Sequence, residues 1–96
     1  DVKLALAARD HSADMVKHGF FDHTSPIVGK SRPSDRAMRF GTTGAGENIQ
    51  EGATTGADAV TAWMNSEGHR ANILKPEYRR VGVGRHEDHW TQMFGK

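Results

Sequence analysis

The first helix is indicated by the spacing of apolar and polar positions near the start of the chain. Across Val2 to His18 the inward positions recur at steps of three and four residues: Leu4, Ala8, His11 or Ser12, Met15. This is the period of an amphipathic α-helix with one apolar face. Gly19 follows at once and is the residue type that most often ends a helix, so the sequence predicts a helix that stops there.

The middle of the chain carries the signals of three shorter helical segments. They are residues 34–40, 57–65 and 66–72. Ser34 can cap the first segment and Ser66 the third, because a side-chain oxygen there accepts a hydrogen bond from the first free amides. Thr55 or Gly56 starts the second segment. Pro76 prevents the last one from continuing far.

Short β-strands are predicted before the third helix and at the C-terminal end. The first covers residues 48–50, and the other two form a hairpin. In that hairpin Val81 and Val83 alternate with two glycines, a polar turn follows, and residues 89–94 return as a strand. Helices and short strands in this layered order predict an α+β sandwich.

The chain is long enough for one domain with one small core. It has 96 residues, of which 35% are hydrophobic, and its mean hydropathy is -0.69. A polar chain of this length has to bury its few large apolar side chains together. The predicted core consists of Leu4, Met15, Phe20, Phe21, Met38, Phe40, Ile49, Val60, Trp63, Ile73, Leu74, Val81, Val83, Trp90 and Phe94.

Charge and composition exclude several classes of protein. Thirteen basic and twelve acidic residues leave a net charge of +1, which disfavours binding to nucleic acid. Two loose groups of basic residues are interpreted as solvated surface charge. They are Arg32, Arg36 and Arg39, and Lys75, Arg79, Arg80 and Arg85. The absence of cysteine excludes disulfides, a thiol nucleophile and zinc-thiolate sites, and no apolar run reaches the roughly 20 residues that span a bilayer.

Four ionisable residues lie in settings that favour a site over plain surface. His23 lies in a loop between aromatic residues and a Ser-Pro pair, and Glu47 follows two nearby glycines. His69 lies in a Gly-His-Arg sequence, and His89 lies on the last strand, on the face opposite Trp90. Structural interpretations stay open beside these: His23 fixed by packing, and Glu47 bonded to loop amides.

Two imidazoles with one or two carboxylates suit two kinds of chemistry. They are ligands of a borderline divalent metal such as Zn²⁺, and they also make a general base with an orienting acid. The residues leave both open. Neither a His-Glu-x-x-His motif nor a Gly-x-Ser-x-Gly elbow is present, so the hydroxyls of Ser25 and Ser66 give little support to a Ser-His-carboxylate triad.

Several motifs, in this order, resemble the bacterial branch of the CAP superfamily, also called SCP-like domains and related to the cysteine-rich secretory proteins. The motifs are His11-Ser12-x-x-Met15, Phe20-x-x-His23-x-Ser25-Pro26, Gly46-Glu47-Asn48-Ile49, Trp63-Met64-Asn65-Ser66-x-Gly68-His69-Arg70-x-Asn72-Ile73-Leu74, Val81-Gly82-Val83-Gly84 and Trp90-Thr91-Gln92-x-Phe94. Together they cover nearly the whole chain, which makes the resemblance specific.

The resemblance implies a single SCP-like domain over residues 1–96, folded as an α-β-α sandwich with a central, mostly antiparallel sheet. Domains of this family usually begin with one more helix, so the sequence is interpreted as truncated or processed at its N-terminus. Without that helix, one face of the sandwich is expected to be exposed, or covered by a partner or a second copy.

The resemblance also implies a cleft lined by a histidine and glutamate tetrad, which in some members binds zinc or another divalent cation. His23 matches the first histidine of the tetrad, and Glu47 matches the glutamate of Gly-Glu-Asn. The second histidine corresponds to His69 in the bacterial pattern or to His89 in the eukaryotic one. Two further candidates are Ser66 and Glu67. They lie where eukaryotic relatives carry their second glutamate, or one position beyond it.

Members of the family share no single activity. The resemblance implies a secreted or cell-envelope protein whose cleft binds a lipid, a sterol, a glycan or a protein partner. One alternative is a divalent-metal-dependent peptidase or esterase with His23, Glu47 and His69 as catalytic residues, in which Glu47 activates a water held by the metal. Another alternative is a structural or signalling domain.

Overall fold

The protein is built from four α-helices and three β-strands, and the computed structural model describes all 96 residues. In chain order they are α1 (Val2–His18), α2 (Pro33–Arg39), β1 (Gly46–Glu51), α3 (Gly56–Met64), α4 (Glu67–Leu74), β2 (Arg80–His86) and β3 (His89–Gly95). This confirms the predicted α+β class. None of the helices has the length and apolar character that a membrane span requires.

The sheet has β3 at its centre. Strands β1 and β2 pair with it on either side, both antiparallel, so the strand order is β1-β3-β2. Alternate residues of β3 face opposite layers. Met93 is buried with Leu4 of α1 and Ala37 of α2, whereas Trp90 is buried with Trp63 of α3. Helices therefore lie on both faces of the sheet, as the α-β-α sandwich requires.

Helix α1 lies directly on β2. At its start the carboxylate of Asp1 accepts a hydrogen bond from Leu4 N at 3.0 Å, and Gly19 ends it with a left-handed φ of 67°. Gly82 and Gly84 are buried beneath the helix, where a β-carbon at either position would overlap the main chain of α1. These two glycines therefore set the distance between the helix and the sheet.

The predicted elements are present, with small shifts in their bounds. Helix α2 begins one residue early, because Pro33 occupies its first turn. The carboxylate of Asp35 accepts a hydrogen bond from Arg32 N at 3.1 Å, so Ser34 is not the cap. Thr55 caps α3 as predicted, accepting a hydrogen bond from an amide of the first turn at 3.1 Å.

The predicted core is wrong at six positions. Phe21, Met38, Val60, Leu74, Val81 and Val83 have exposed side chains. Val81 and Val83 alternate with the glycines under α1, so their side chains point to the opposite face of the sheet. Helices α3 and α4 pack against β1 and leave the edge strand β2 without a helix above that face. Small side chains such as Ala7 and Ala59 fill the interior instead. Part of one sheet face is therefore exposed.

Candidate functional site

A buried ion pair between Arg36 and Glu47 lies at the centre of the site. Nη2 of Arg36 donates to both carboxylate oxygens of Glu47, at 2.9 and 2.8 Å, and neither side chain reaches solvent. Nη1 donates to the carbonyl oxygens of Lys30 and Ser31 at 2.9 and 3.2 Å. Two charges can be buried here because each neutralises the other and both have further hydrogen-bond partners.

The interpretation of Arg36 as surface charge is wrong. Its spacing with Arg32 and Arg39 on one helix suggests a solvated group, yet Arg36 has no exposed area, whereas the other two are exposed. Its partner is eleven residues away on β1, and helical spacing carries no information about such a contact. The sequence signal that could have indicated a buried arginine was Glu47, because a buried carboxylate requires a cation or several hydrogen-bond donors.

His23 is held by the same carboxylate. Its Nδ1 lies 2.8 Å from Oε1 of Glu47, and Nδ1 carries the proton because an ionised carboxylate can only accept. This hydrogen bond raises the pKa of His23 above its usual value, against the opposing effect of partial burial. Nε2 makes no hydrogen bond within the chain, and 48% of the side chain is exposed. The structure thus brings these two predicted site residues together.

His11 anchors the loop that carries His23. It is fully buried on α1, and its Nε2 donates to the carbonyl oxygen of Asp22 at 2.9 Å. Burial lowers the pKa of His11, outweighing the carboxylate of Glu47, which lies 3.9 Å away. Its Nδ1 has no partner, which fits a neutral imidazole protonated at Nε2. The helical period places His11 on the inward face of α1 but gives no sign of this role.

On the opposite face of β1, Asn48 fixes the segment that carries His69. Its Nδ2 donates to the carbonyl oxygen of His69 at 3.0 Å and to Oε1 of Gln92 at 3.1 Å. Asn72 completes the network by donating to Oδ1 of Asn48 at 2.9 Å. The pKa of His69 is lowered, first by burial and second by the charge of His23.

The largest cavity is an open cleft of about 560 Å³ alongside the edge strand β1. Its lining residues are Phe21, Ile49, Gln50, Glu51, Gly52, Ala62, Trp63, Ser66, His69 and Asp88. Trp63 forms one side of the cleft, and its Nε1 donates a hydrogen bond to the carbonyl oxygen of Ile49 at 3.0 Å. This bond satisfies a main-chain acceptor on the open edge of β1 that would otherwise be unpaired. Of the predicted site residues, His69 and Ser66 line this cleft, whereas His23 and Glu47 do not.

His89 forms no hydrogen bond or ion pair with the other predicted site residues. Its Nδ1 is 2.9 Å from Oδ1 of Asp88, and its Nε2 is 4.0 Å from Oε2 of Glu51. The ring meets that of Phe21 edge-on, with centroids 6.1 Å apart. His89 lines a neighbouring hollow of about 340 Å³ that shares Phe21 and Glu51 with the cleft. Of the two candidates for the second histidine, His69 therefore lines the cleft itself and His89 lines only the neighbouring hollow.

The four predicted metal ligands, His23, Glu47, His69 and His89, do not form one coordination site. No three His, Asp or Glu side chains are arranged to hold an ion, and both oxygens of Glu47 already accept hydrogen bonds from Arg36. A divalent cation at Glu47 would also lie against the buried guanidinium and be repelled by it. The residues present therefore do not fit zinc at Glu47, and metal binding stays a prediction.

The start of α4 carries the two remaining candidates, Ser66 and Glu67. Ser66 lines the cleft and makes no side-chain hydrogen bond at the helix N-terminus, whereas Glu67 is exposed and outside the lining. Arg70 of the same helix donates to the carbonyl oxygen of Met64 at 3.3 Å. This segment therefore supplies a free hydroxyl to the cleft.

Comparison with known sequences places the chain in a family. A model of the cysteine-rich secretory protein family, CAP, matches residues 1–94. The chain is 47% identical over 98 residues to the uncharacterized protein YkwD of Bacillus subtilis (strain 168), covering 98% of this chain and 37% of that protein. It is 39% identical over 98 residues to the uncharacterized membrane protein YlbC of the same strain, covering 100% of this chain and 28% of that protein. The chain thus spans about a third of the length of these relatives.

Two solved structures share the fold. The chain superposes with a TM-score of 0.89 on an extracellular protein containing an SCP domain from Bacillus anthracis str. Ames, at 36% identity over 96% of this chain and 31% of that one. For an outer surface protein from Borrelia burgdorferi the TM-score is 0.77 at 19% identity, over 100% of this chain and 74% of that one, a likeness of fold alone. With the family model matching nearly its whole length, the chain belongs to the CAP, or cysteine-rich secretory protein, family.

Proposed function

We propose that this domain is an extracellular or cell-envelope binding module and that the cleft along β1 takes an oligosaccharide. The observation that carries the proposal is the lining of the cleft, in which one exposed aromatic ring lies among carboxylate, hydroxyl and imidazole groups. Sugars present an apolar ring face together with many hydroxyl groups, so a site for them needs both kinds of lining.

The polar groups of the cleft have hydrogen-bonding capacity to spare. The carboxylates of Glu51 and Asp88 are each 51% exposed, and they can accept hydrogen bonds from sugar hydroxyls. The lowered pKa of His69 favours a neutral imidazole, which both donates and accepts. Phe21, which is 45% exposed, offers the apolar surface. The lining therefore suits a ligand rich in hydroxyl groups.

An acyl chain or a sterol fits this cleft less well. Four of its ten lining residues are hydrophobic, and the largest of them, Trp63, is almost wholly buried. The polar groups would lose hydration against a ligand that cannot form hydrogen bonds with them, which is costly. Lipid and sterol binding are therefore less well supported than glycan binding.

The structural relative from Bacillus anthracis supports a location outside the cytoplasm. At 36% identity, it is described as an extracellular protein. Glycans of the cell envelope are accessible there, so location and cleft chemistry support the same proposal.

An NMR titration with chitotetraose, a soluble oligomer of N-acetylglucosamine, tests the proposal. We expect amide shifts at the cleft residues, with decanoate and a lysine-containing tetrapeptide titrated in parallel for comparison. Phe21→Ala and Glu51→Gln should each weaken binding by about fivefold, the effect of losing about 1 kcal/mol of contact. Glu77→Gln, an exposed glutamate outside the lining, is the matched control and should bind as the wild type does.

Three results would overturn the oligosaccharide proposal. Cleft shifts with decanoate alone would assign the cleft to a lipid, and cleft shifts with the peptide alone would assign it to a protein segment. If none of the three probes shifts the cleft, the oligosaccharide proposal fails.

Hydrolysis is a second candidate, favoured by one observation. His23 lies 2.8 Å from Glu47, so an imidazole is oriented by a carboxylate, as in many general bases. Glu47 is buried and paired with Arg36, so His23 would be the base. Turnover of p-nitrophenyl acetate that is lost in His23→Gln and kept in His18→Gln, with the fold intact, would support this candidate. The metal-dependent form further requires that added zinc raise the turnover.

A further inference from the structure

Arg36 supplies the positive charge beside Glu47 that a metal ion would supply in a metal centre. Its guanidinium is fixed on both sides, by two main-chain carbonyl oxygens at 2.9 and 3.2 Å and by both carboxylate oxygens at 2.9 and 2.8 Å. A planar fork bound at both ends has little freedom to turn. The position of the carboxylate is therefore determined by the arginine.

The same oxygen connects Arg36 to His23. Oε1 of Glu47 accepts from Nη2 of Arg36 at 2.9 Å and from Nδ1 of His23 at 2.8 Å. Since Oε1 can only accept, the neutral imidazole has its proton on Nδ1 and its lone pair on Nε2. Nε2 has no partner in the chain, and the ring is about half exposed. The arginine thus acts on the imidazole through the carboxylate.

We propose that Arg36 is the positioning residue of this site, and that it takes the place of a metal ion in fixing Glu47, so that His23 keeps Nε2 free as a hydrogen-bond acceptor. The family resemblance implies a tetrad that in some members binds a divalent cation, and in this chain the geometry assigns the neutralisation of Glu47 to Arg36. The assignment does not depend on which ligand enters the cleft. Failure of the oligosaccharide titration would leave it standing.

The test is the tautomer of His23 in the isolated protein, measured by long-range nitrogen-proton correlation NMR in EDTA. At about pH 9, where neutral imidazole dominates, the wild type should favour the Nδ1-protonated tautomer by about tenfold, the worth of one charge-assisted hydrogen bond. Arg36→Met should shift the population towards the Nε2-protonated tautomer that free imidazole prefers. Arg39→Met, an exposed arginine of the same helix, should leave the wild-type tautomer unchanged.

Zinc gives the second measurement. One equivalent should leave the His23 signals of the wild type in place, whereas in Arg36→Met the freed carboxylate should allow zinc to shift them. The proposal is overturned if the wild type in EDTA shows the Nε2-protonated tautomer, if Arg36→Met keeps the wild-type preference, or if zinc displaces His23 equally in both proteins.

A variant that does not fold leaves the test intact. Arg36→Lys keeps the charge but has no fork, so it should reduce the tautomer preference without abolishing it. The measurement on the wild type in EDTA needs no variant and can overturn the proposal alone.

Discussion

Glu47 and Asn48 are neighbours on β1 and point into opposite layers of the sandwich. Glu47 bonds to the ring of His23 at 2.8 Å on one face, and Asn48 bonds to the main chain of His69 at 3.0 Å on the other. The alternation of side chains along one strand thus fixes two histidine-bearing segments that are far apart in the sequence. The Gly-Glu-Asn-Ile motif therefore assembles the site.

Replacing Asn48 should destabilise the fold. Asn48→Ala removes the partner of the Gln92 side chain in a buried region and also takes one hydrogen bond each from the carbonyl of His69 and from Asn72, which keeps only a 3.4 Å contact to the carbonyl oxygen of Glu47. Unpaired buried groups cost about 1 to 3 kcal/mol each, so we expect the free energy of unfolding in urea to fall by about 3 kcal/mol. Asn65→Ala, on an exposed position after α3, should change it by less than about 0.5 kcal/mol. A loss in Asn48→Ala as small as that of this control would contradict the assigned role.

The elements of the fold could be predicted because their signals are local. The residues whose spacing predicts α1 lie within a few positions of one another in the chain, and so do the alternating residues that predict β2. The errors concern contacts between distant segments. Arg36 is buried by a partner on β1, and Leu74 is 64% exposed although its neighbour Ile73 packs on the core. No local pattern shows what lies opposite a side chain.

The candidate site could be predicted only in part, for the same reason. The unusual settings of His23 and Glu47 were visible because a histidine and a glutamate among glycines and apolar residues need partners. The supporting residues His11 and Asn48 resemble ordinary inward positions of a helix and a strand. Their roles depend on Asp22 and on the main chain of His69, which only the folded chain brings near.

Acid should destabilise the protein through His11. Burial lowers the pKa of His11 below its usual value of 6.5, so below that pH the unfolded chain binds a proton that folded His11 does not. The stabilisation that comes from burying neutral His11 is complete above the pKa that His11 has in the unfolded chain. It is lost as the pH falls through the lower pKa that His11 has in the folded protein. Gln can donate to Asp22 and does not titrate, so His11→Gln should show a smaller fall in unfolding free energy between about pH 6.5 and 5.

The control for His11 is His18→Gln, at the exposed end of the same helix, which should keep the wild-type fall. An equal fall in His11→Gln and in the wild type would show that another group is responsible for the acid sensitivity.

His23 should have the opposite pH dependence. Its hydrogen bond with Glu47 raises its pKa above the usual value of 6.5, so the folded state holds a proton that the unfolded state releases. The stabilisation is fully present below the unfolded pKa and is lost as the pH rises through the raised folded pKa. The difference in Tm between the wild type and His23→Gln should therefore be largest near about pH 6 and shrink towards about pH 9. A difference that grows with pH would be incompatible with this hydrogen bond.

The close approach of α1 to β2 makes Gly82 intolerant of any side chain. A β-carbon there would overlap the main chain at Leu4 and Ala5, and a helix backbone cannot move aside as a flexible side chain can. We expect Gly82→Ala to lower the free energy of unfolding by about 3 kcal/mol or more, the upper range for overpacking. Gly68→Ala meets nothing within 4 Å and lies in α4, where alanine favours the helix by up to about 1 kcal/mol. The free energy of unfolding in urea should therefore fall in Gly82→Ala and rise in Gly68→Ala. A Gly82→Ala variant as stable as the wild type would mean that α1 does not lie directly on β2.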